Sequence, residues 1–283
     1  MEEVDKVRIL KDDDSCPDLP IVAGGGTAWA VVWPGVGAHL RSLHRISLEP
    51  GSKTVELTHP MDAVYYLMGG AGSVLDSKED IRQDLTKGSM AHIDAGTSYV
   101  FEAGPAGAEI LGGPCPPDPQ MYRHLPGLSS ATDPAGGLEE SLVDHEEDGS
   151  VSIRIFHCDE PSAMAPMIAK DARLIVWPGV GADNANMNYV NMQPGERNVD
   201  HVHEASEDTI YILSGRGSIQ DVTNDIRFEF GVGDVVHVPV GVWHAVSGDL
   251  GESIVSVGGP CPADWNMLLA AGLIPDEGSE SFE

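Results

Sequence analysis

Short runs of β-branched and aromatic residues alternate with glycine-rich turns about every eight to twelve positions along most of the chain. Val64 to Met68, Thr209 to Leu213 and Val235 to Val238 are such runs, each long enough for a strand and too short for an ordinary helix. This rhythm predicts an all-β protein of antiparallel barrels or jelly rolls. Helical periodicity is scarce, and only Asp264 to Gly272 and the stretch around Leu138 to Val143 are expected to form short helices.

The pattern occurs twice. Val7-Arg8-Ile9-Leu10 returns as Ile153-Arg154-Ile155-Phe156, and Val32-Trp33-Pro34-Gly35-Val36-Gly37-Ala38 returns as Val176-Trp177-Pro178-Gly179-Val180-Gly181-Ala182. Gly112-Gly113-Pro114-Cys115-Pro116 matches Gly258-Gly259-Pro260-Cys261-Pro262, and the offset stays between 144 and 146 residues throughout. A duplicated barrel is therefore expected, with a first domain over 1–116 and a second over 151–272. Residues 117–150, rich in Pro, Gly and Ser and then acidic from Asp144 to Asp148, read as a solvated linker. Residues 273–283 read as an acidic tail.

The second copy carries the chemistry. Gly195 is followed after five residues by His201-Val202-His203, then by Glu207-Asp208 and an apolar run ending at Gly215. On an extended backbone residues i and i+2 share a face, so the two imidazoles can converge on one ion. A third histidine, His244, follows the Pro239-Val240-Gly241 turn, where a neighbouring strand would bring it opposite the pair. A site without an ion would leave several buried polar groups unpartnered, at about 1 to 3 kcal/mol each.

These spacings resemble the two motifs of the cupin superfamily: Gly, five residues, His-x-His, three or four residues, an acid, six residues, Gly; then Gly, five residues, Pro-x-Gly-x-x-His. Both lie complete between residues 195 and 248. The resemblance implies two tandem double-stranded β-helix barrels, a bicupin, with one divalent metal in the second barrel held by His201, His203, Asp208 and His244. Two positions depart from the family pattern. Asp208 stands where the family has Glu, with Glu207 beside it as the alternate acid ligand, and Gly248 replaces the usual Asn.

The duplication supplies an internal control. His203 matches His59, but His201, Asp208 and His244 correspond to Leu57, Ala63 and Tyr99, so the first barrel is expected to be structural. Features present in both copies are assigned to folding on the same logic: His237 with His92, Cys261 with Cys115, Arg154 with Arg8. Asn186, Asn188, Tyr189 and Trp243 replace Ser42, His44, Arg45 and Ser98, which makes them the candidates for the substrate pocket. The cluster His157-Cys158-Asp159-Glu160 lacks a partner at ligand spacing and reads as surface decoration.

Composition narrows the partners. With 45 acidic against 16 basic residues the formal charge is −29, a field that repels phosphate backbones and anionic lipid. A small-molecule substrate is expected, with no nucleic-acid or membrane partner, in a monomer or homodimer. Met1 to Asp5 holds neither a basic leader nor an apolar stretch, and no apolar run approaches the ~18 residues of a membrane span, so a cytoplasmic location is the expectation. Four scattered cysteines are expected as reduced thiols. Imidazole and carboxylate ligands suit Fe or Mn foremost, and Ni, Co or Zn as well. The resemblance implies a metal-dependent enzyme, an oxidoreductase of the Fe(II) dioxygenase type first. A redox-neutral Mn or Zn decarboxylase, isomerase or hydrolase, with whichever of Glu207 and Asp208 is not a ligand as general base, Glu207 first, is the alternative, and a non-catalytic binding module the third reading.

Overall fold

The computed structural model describes residues 5–125 and 151–274. The helix expected around Leu138 to Val143, the acidic run from Asp144 to Asp148 and the tail beyond Asp276 lie outside the described residues. The fold is all-β, two jelly-roll barrels built from antiparallel strands. Pairing in the first barrel centres on Ala63–Asp76 and Ser98–Pro114. Their equivalents in the second are Glu207–Ser214 and Ile254–Cys261. Where the pairing breaks register in both copies, one residue is passed over, Met68 in the first and Leu213 in the second, so this bulge belongs to the common fold.

The two barrels exchange strands. Arg8–Lys11, from the start of the chain, pairs with Asp234–Val238 and closes the edge of the second barrel. Ile153–His157, from the start of the second copy, pairs with Ser89–Ile93 and closes the first. Each barrel thus borrows its outer strand, and the expected boundaries at 116 and 151 divide the sequence repeat rather than the folded units. The linker also begins later than Pro117. Pro119–Tyr122 forms a 3-10 turn, its first residues held by the Asp118 side chain accepting from the Gln120 N–H, and Tyr122 is fully buried in the first barrel.

The contact between barrels is a hydrophobic layer drawn from both copies, with Val32, Leu43, Val64 and Met90 meeting Ile175, Val176, Met187 and Val257. Asp264 caps the one α-helix among the described residues, Trp265–Ala270, by accepting from the Met267 N–H; this is the helix expected from Asp264 onward. No helix among the described residues is long and apolar enough to cross a membrane.

Candidate metal centre

Three backbone hydrogen bonds bring the histidines together. His201 and His244 face each other across an antiparallel bridge, each N–H donating to the other's carbonyl at 3.1 and 2.9 Å. Gly241, at φ +79 in the Pro-x-Gly turn, donates its N–H to the His203 carbonyl at 2.9 Å, tying the loop before His244 to the residue two beyond His201. The three rings then stack within reach, with centroids 4.2 to 5.4 Å apart. One ligand atom from each lies within 4.8 Å of the others.

Hydrogen bonding sets which nitrogen is free. Nδ1 of His201 faces the Val199 carbonyl at 3.0 Å, and Nδ1 of His244 faces the Val242 carbonyl at 2.9 Å. Nδ1 of His203 faces Asp264 Oδ2 at 2.6 Å. Carbonyls and carboxylates only accept, so each Nδ1 carries the proton and each Nε2 presents a lone pair. Nε2 of His203 and of His244 are buried without a partner, as is Oδ1 of Asp208. Oδ2 of Asp208 stands 3.9 Å from His203 Nε2 and 3.7 Å from His244 Nε2. A divalent cation among these atoms would satisfy all of the orphans together, so the residues fit the metal that the fold implies.

Burial, reinforced by His244 and His203, pushes His201 down to about 4, which keeps it neutral and available as a ligand at pH 7. Burial alone would raise the Asp208 carboxyl, but in the metal-free site a proton on the facing His244 or His203 outweighs it and holds it below the usual carboxylate value, the place that a divalent cation would take.

Period-2 alternation sends Glu207 the other way. Its carboxylate accepts from the N–H groups of His39 and Leu40, in the first copy, at 2.8 to 2.9 Å. Burial opposes its charge, and His237 with the two N–H groups overcomes that and holds it ionised. Asp62 does the same in reverse, accepting from Asp183, Asn184 and Ala185 of the second copy at 3.0 to 3.3 Å and from His92 at 3.1 Å. Glu207 is therefore an inter-barrel fastener, which corrects its expected roles as general base and alternate ligand.

The family of cupin domains matches residues 188–255, a span that contains all four converging side chains. Solved structures align over nearly the whole chain. An alanine variant of Bacillus subtilis oxalate decarboxylase superposes with a TM-score of 0.64 at 16% identity, over 93% of this chain and 79% of that one. A second variant of that enzyme gives 0.65 at 15% identity, over 99% and 86%. A structure of it described for its Mn(II) centres gives 0.64 at 16%, over 93% and 79%. Residues 188–255 thus match the cupin domain, and the chain as a whole shares the two-barrel fold of these structures. No curated protein sequence matches it.

The first barrel has filled the space that the second keeps open. Tyr99, in the place of His244, shares a 2.7 Å hydroxyl contact with Tyr65 and packs edge-on against Phe101. His59 keeps only the carboxylate partner of His203, Asp118 at 2.8 Å in the place of Asp264. Among the described residues one other cluster brings three ligand atoms together, His157, Cys158 and Asp159. Both His157 nitrogens are engaged, by the Lys87 carbonyl at 3.1 Å and the Asp159 N–H at 3.2 Å, and Arg173 holds Asp159, so the group is structural.

A cavity of about 60 Å³ opens onto His201 and His203. Of the four expected pocket residues, only Asn188 lines it. Asn186 lies deeper, its amide donating to the Pro260 carbonyl at 2.7 Å. Tyr189 points from the opposite face of its strand, under the Arg173 guanidinium at 5.3 Å. Trp243 is half exposed, held through its backbone to Thr223. The walls that the sequence reading missed are Val190, Met192, Ile210 and Ile212 from the strand faces that carry Asn188 and Asp208, with Asn198, Val246, Ile254 and Ser256. Strand parity counted from Asp208 and Asn188 would have found the first four.

Proposed function

We propose that this two-barrel protein is a mononuclear, divalent-metal enzyme that works redox-neutrally on a small oxygen-chelating carboxylate, with C–C cleavage of the decarboxylase kind as its reaction. The observation that carries the proposal is the convergence of three imidazoles and one carboxylate, each imidazole oriented by a hydrogen bond to its far nitrogen. A bound metal would act there as a Lewis acid, polarising a chelated carbonyl or carboxyl oxygen. His201, His203 and His244 would hold it and Asp208 would offset its charge. Asp264 fixes the ring of His203, and the aliphatic walls keep water from the substrate.

The Fe(II) dioxygenase expectation gives way to its redox-neutral alternative on the ground of the structural neighbours. The structural neighbours named above are decarboxylases, one of them described for Mn(II). Within that alternative, the residues lining the cavity include no Asp or Glu, and Glu207 is committed to the barrel interface. Reactions that need a carboxylate base to remove a proton are poorly served by such a wall, whereas loss of carbon dioxide needs no base in the bond-breaking step.

The test loads metal-depleted protein with Mn(II) and screens small chelating carboxylates for carbon dioxide release, with dioxygen uptake followed in parallel. Release of carbon dioxide without matching consumption of dioxygen is expected. Dioxygen consumed in step with substrate would overturn the proposal and restore the dioxygenase reading.

A further inference from the structure

Hydrocarbon begins where the histidine cluster ends. Asp208, Ile210 and Ile212 alternate onto one face of the strand Glu207–Ser214, and the two isoleucines line the cavity that opens onto His201 and His203. Ile168, Val190, Val246 and Met267 continue the wall. Among the described residues that line it there is no Lys, Arg, Asp or Glu, and the polar side chains besides the two histidines are Asn188, Asn198 and Ser256. The nearby charges are committed elsewhere. Arg41, fully buried, donates to the Asn186 carbonyl and stands beside the Cys115 and Cys261 thiols, and Glu207 accepts from His39 and Leu40 of the first copy. The space itself comes from trimmed apolar groups, since Ile210 and Val246 stand where the first copy packs Tyr65 edge-on against Phe101 at 4.9 Å.

We propose that the substrate is an acid whose departing carboxylate lies β to a carbonyl, with the carbonyl oxygen at the histidine end of the cavity and the departing carboxylate against the Ile, Val and Met wall. This rests on the metal-dependent, redox-neutral reading of the site given above. When a carboxylate leaves as carbon dioxide, the electron pair of the broken C–C bond stays on the carbon left behind. With no oxidant or reductant, that carbon needs a neighbouring carbonyl to receive the pair. The pair passes into the carbonyl as an enolate and water returns a proton to the carbon, so the acid plus one proton gives the ketone and carbon dioxide, with nothing oxidised or reduced. The wall acts on the other half of the step. A carboxylate against hydrocarbon loses its water and meets no cation, whereas carbon dioxide is neutral and loses little there, so the wall opposes the ground state and not the product. Chelation of the other end at the histidine cluster holds the carboxylate in that place. Negative charge moves meanwhile toward the carbonyl oxygen, the end where a bound cation would offset it.

Kinetics and calorimetry on the Mn(II)-loaded protein test this, with metal content measured on the same samples. With 2-oxosuccinate, whose far carboxylate lies β to the oxo group, carbon dioxide release above that of the same Mn(II) in buffer is expected; 2-oxobutanoate, with a methyl group in place of that carboxylate, should release none. Met267→Lys, at the half-buried part of the wall, brings an ammonium to the departing carboxylate and should lower KM and kcat together, each by at least about fivefold, whereas lost packing alone would raise KM. Ile168→Lys is the second variant should the first misfold. Calorimetry with 2-hydroxysuccinate, which has no carbonyl to receive the pair, reads binding without turnover. The lysine substitution should tighten it by a similar factor and leave 2-hydroxybutanoate unchanged. A substitution that left kcat unchanged, or failed to tighten 2-hydroxysuccinate, would overturn the proposal, as would turnover of oxalate with none of 2-oxosuccinate; the metal-enzyme reading would survive each of these. Protein that holds no Mn(II) would sink that reading itself, and the inference with it.

Discussion

At the residue scale, the ligand set is decided by which face of a strand a side chain takes. His201→Ala or His244→Ala should abolish retention of metal through gel filtration with little change in circular dichroism, while His59→Ala should leave metal content as in wild type. Loss of metal in the His59 variant would mean that the first barrel contributes a ligand. Acid titration probes the same side chains. His201 has a folded value of about 4 and His44 of about 3, both pushed down first by burial, against an ordinary 6.5. The unfolded chain therefore binds more protons between those values, so apo-protein stability should fall as pH drops from about 6.5 toward 4. Asp62 and Asp208, held below the usual 3.8, lose their contribution only at lower pH. Urea denaturation midpoints at pH 7 and 5 read the histidine part, and His44→Gln should flatten the slope; an unchanged slope would remove His44 from the account. The three histidines were legible because each sits in a short motif, His201-Val202-His203 after Gly195 and His244 after the Pro239-Val240-Gly241 turn. Glu207 was misread although its counterpart Asp62 stands in the copy without the ligands, and the internal control applied to Cys115 and Cys261 would have assigned it to folding. Tyr189 was misread for a different reason: copy-to-copy substitution says nothing about which strand face a residue occupies.

At the element scale, strand exchange decides what each barrel needs from the other. The repeat of Val7-Arg8-Ile9-Leu10 at Ile153 was plain in the sequence, as were the strands and the helix after Asp264. Where those two strands dock was not, because pairing Arg8 with His237 joins positions far apart in the chain and leaves no local periodicity to read. Residues 151–274 produced alone would lack the strand Arg8–Lys11 at one edge and leave Ile153–His157 without its partner Ser89–Ile93. That fragment should aggregate or show no cooperative melt, whereas mixing it with residues 5–125 should restore a cooperative transition and metal binding. Independent two-state folding of the fragment would show that the borrowed strand is dispensable. The carboxylate fasteners act across the same boundary. Glu207→Gln keeps the size and loses the charge that the His39 and Leu40 N–H groups engage, and should cost about 2 kcal/mol, the range of hydrogen bonds to a charged group. Metal content should be unaffected, and its loss would return Glu207 to the ligand set.

At the scale of the whole molecule, the interior and the surface respond to charge differently. The inter-barrel carboxylates sit against N–H groups with little solvent between them, so added salt changes them little. The surface carries most of the 45 acidic side chains against 16 basic ones, and its repulsion is exposed to screening. The screening length shrinks from about 30 Å at 0.01 M to about 3 Å at 1 M, from the width of a barrel to less than the spacing of neighbouring side chains. Moderate salt should therefore raise the thermal midpoint, by roughly 2 to 4 °C for each kcal/mol of repulsion relieved in a protein of this size class. Sodium chloride and choline chloride separate screening from cation binding, because choline is too large and weakly charged at its surface to enter a carboxylate cluster. Equal gains in the two salts are expected, and they should appear in the apo-protein and in the His244→Ala variant alike, since the metal centre has no part in them. A gain confined to sodium would assign the effect to specific ion sites, and a midpoint that stayed flat in both salts would show that the fold already spaces its carboxylates widely enough to make the net charge thermodynamically silent.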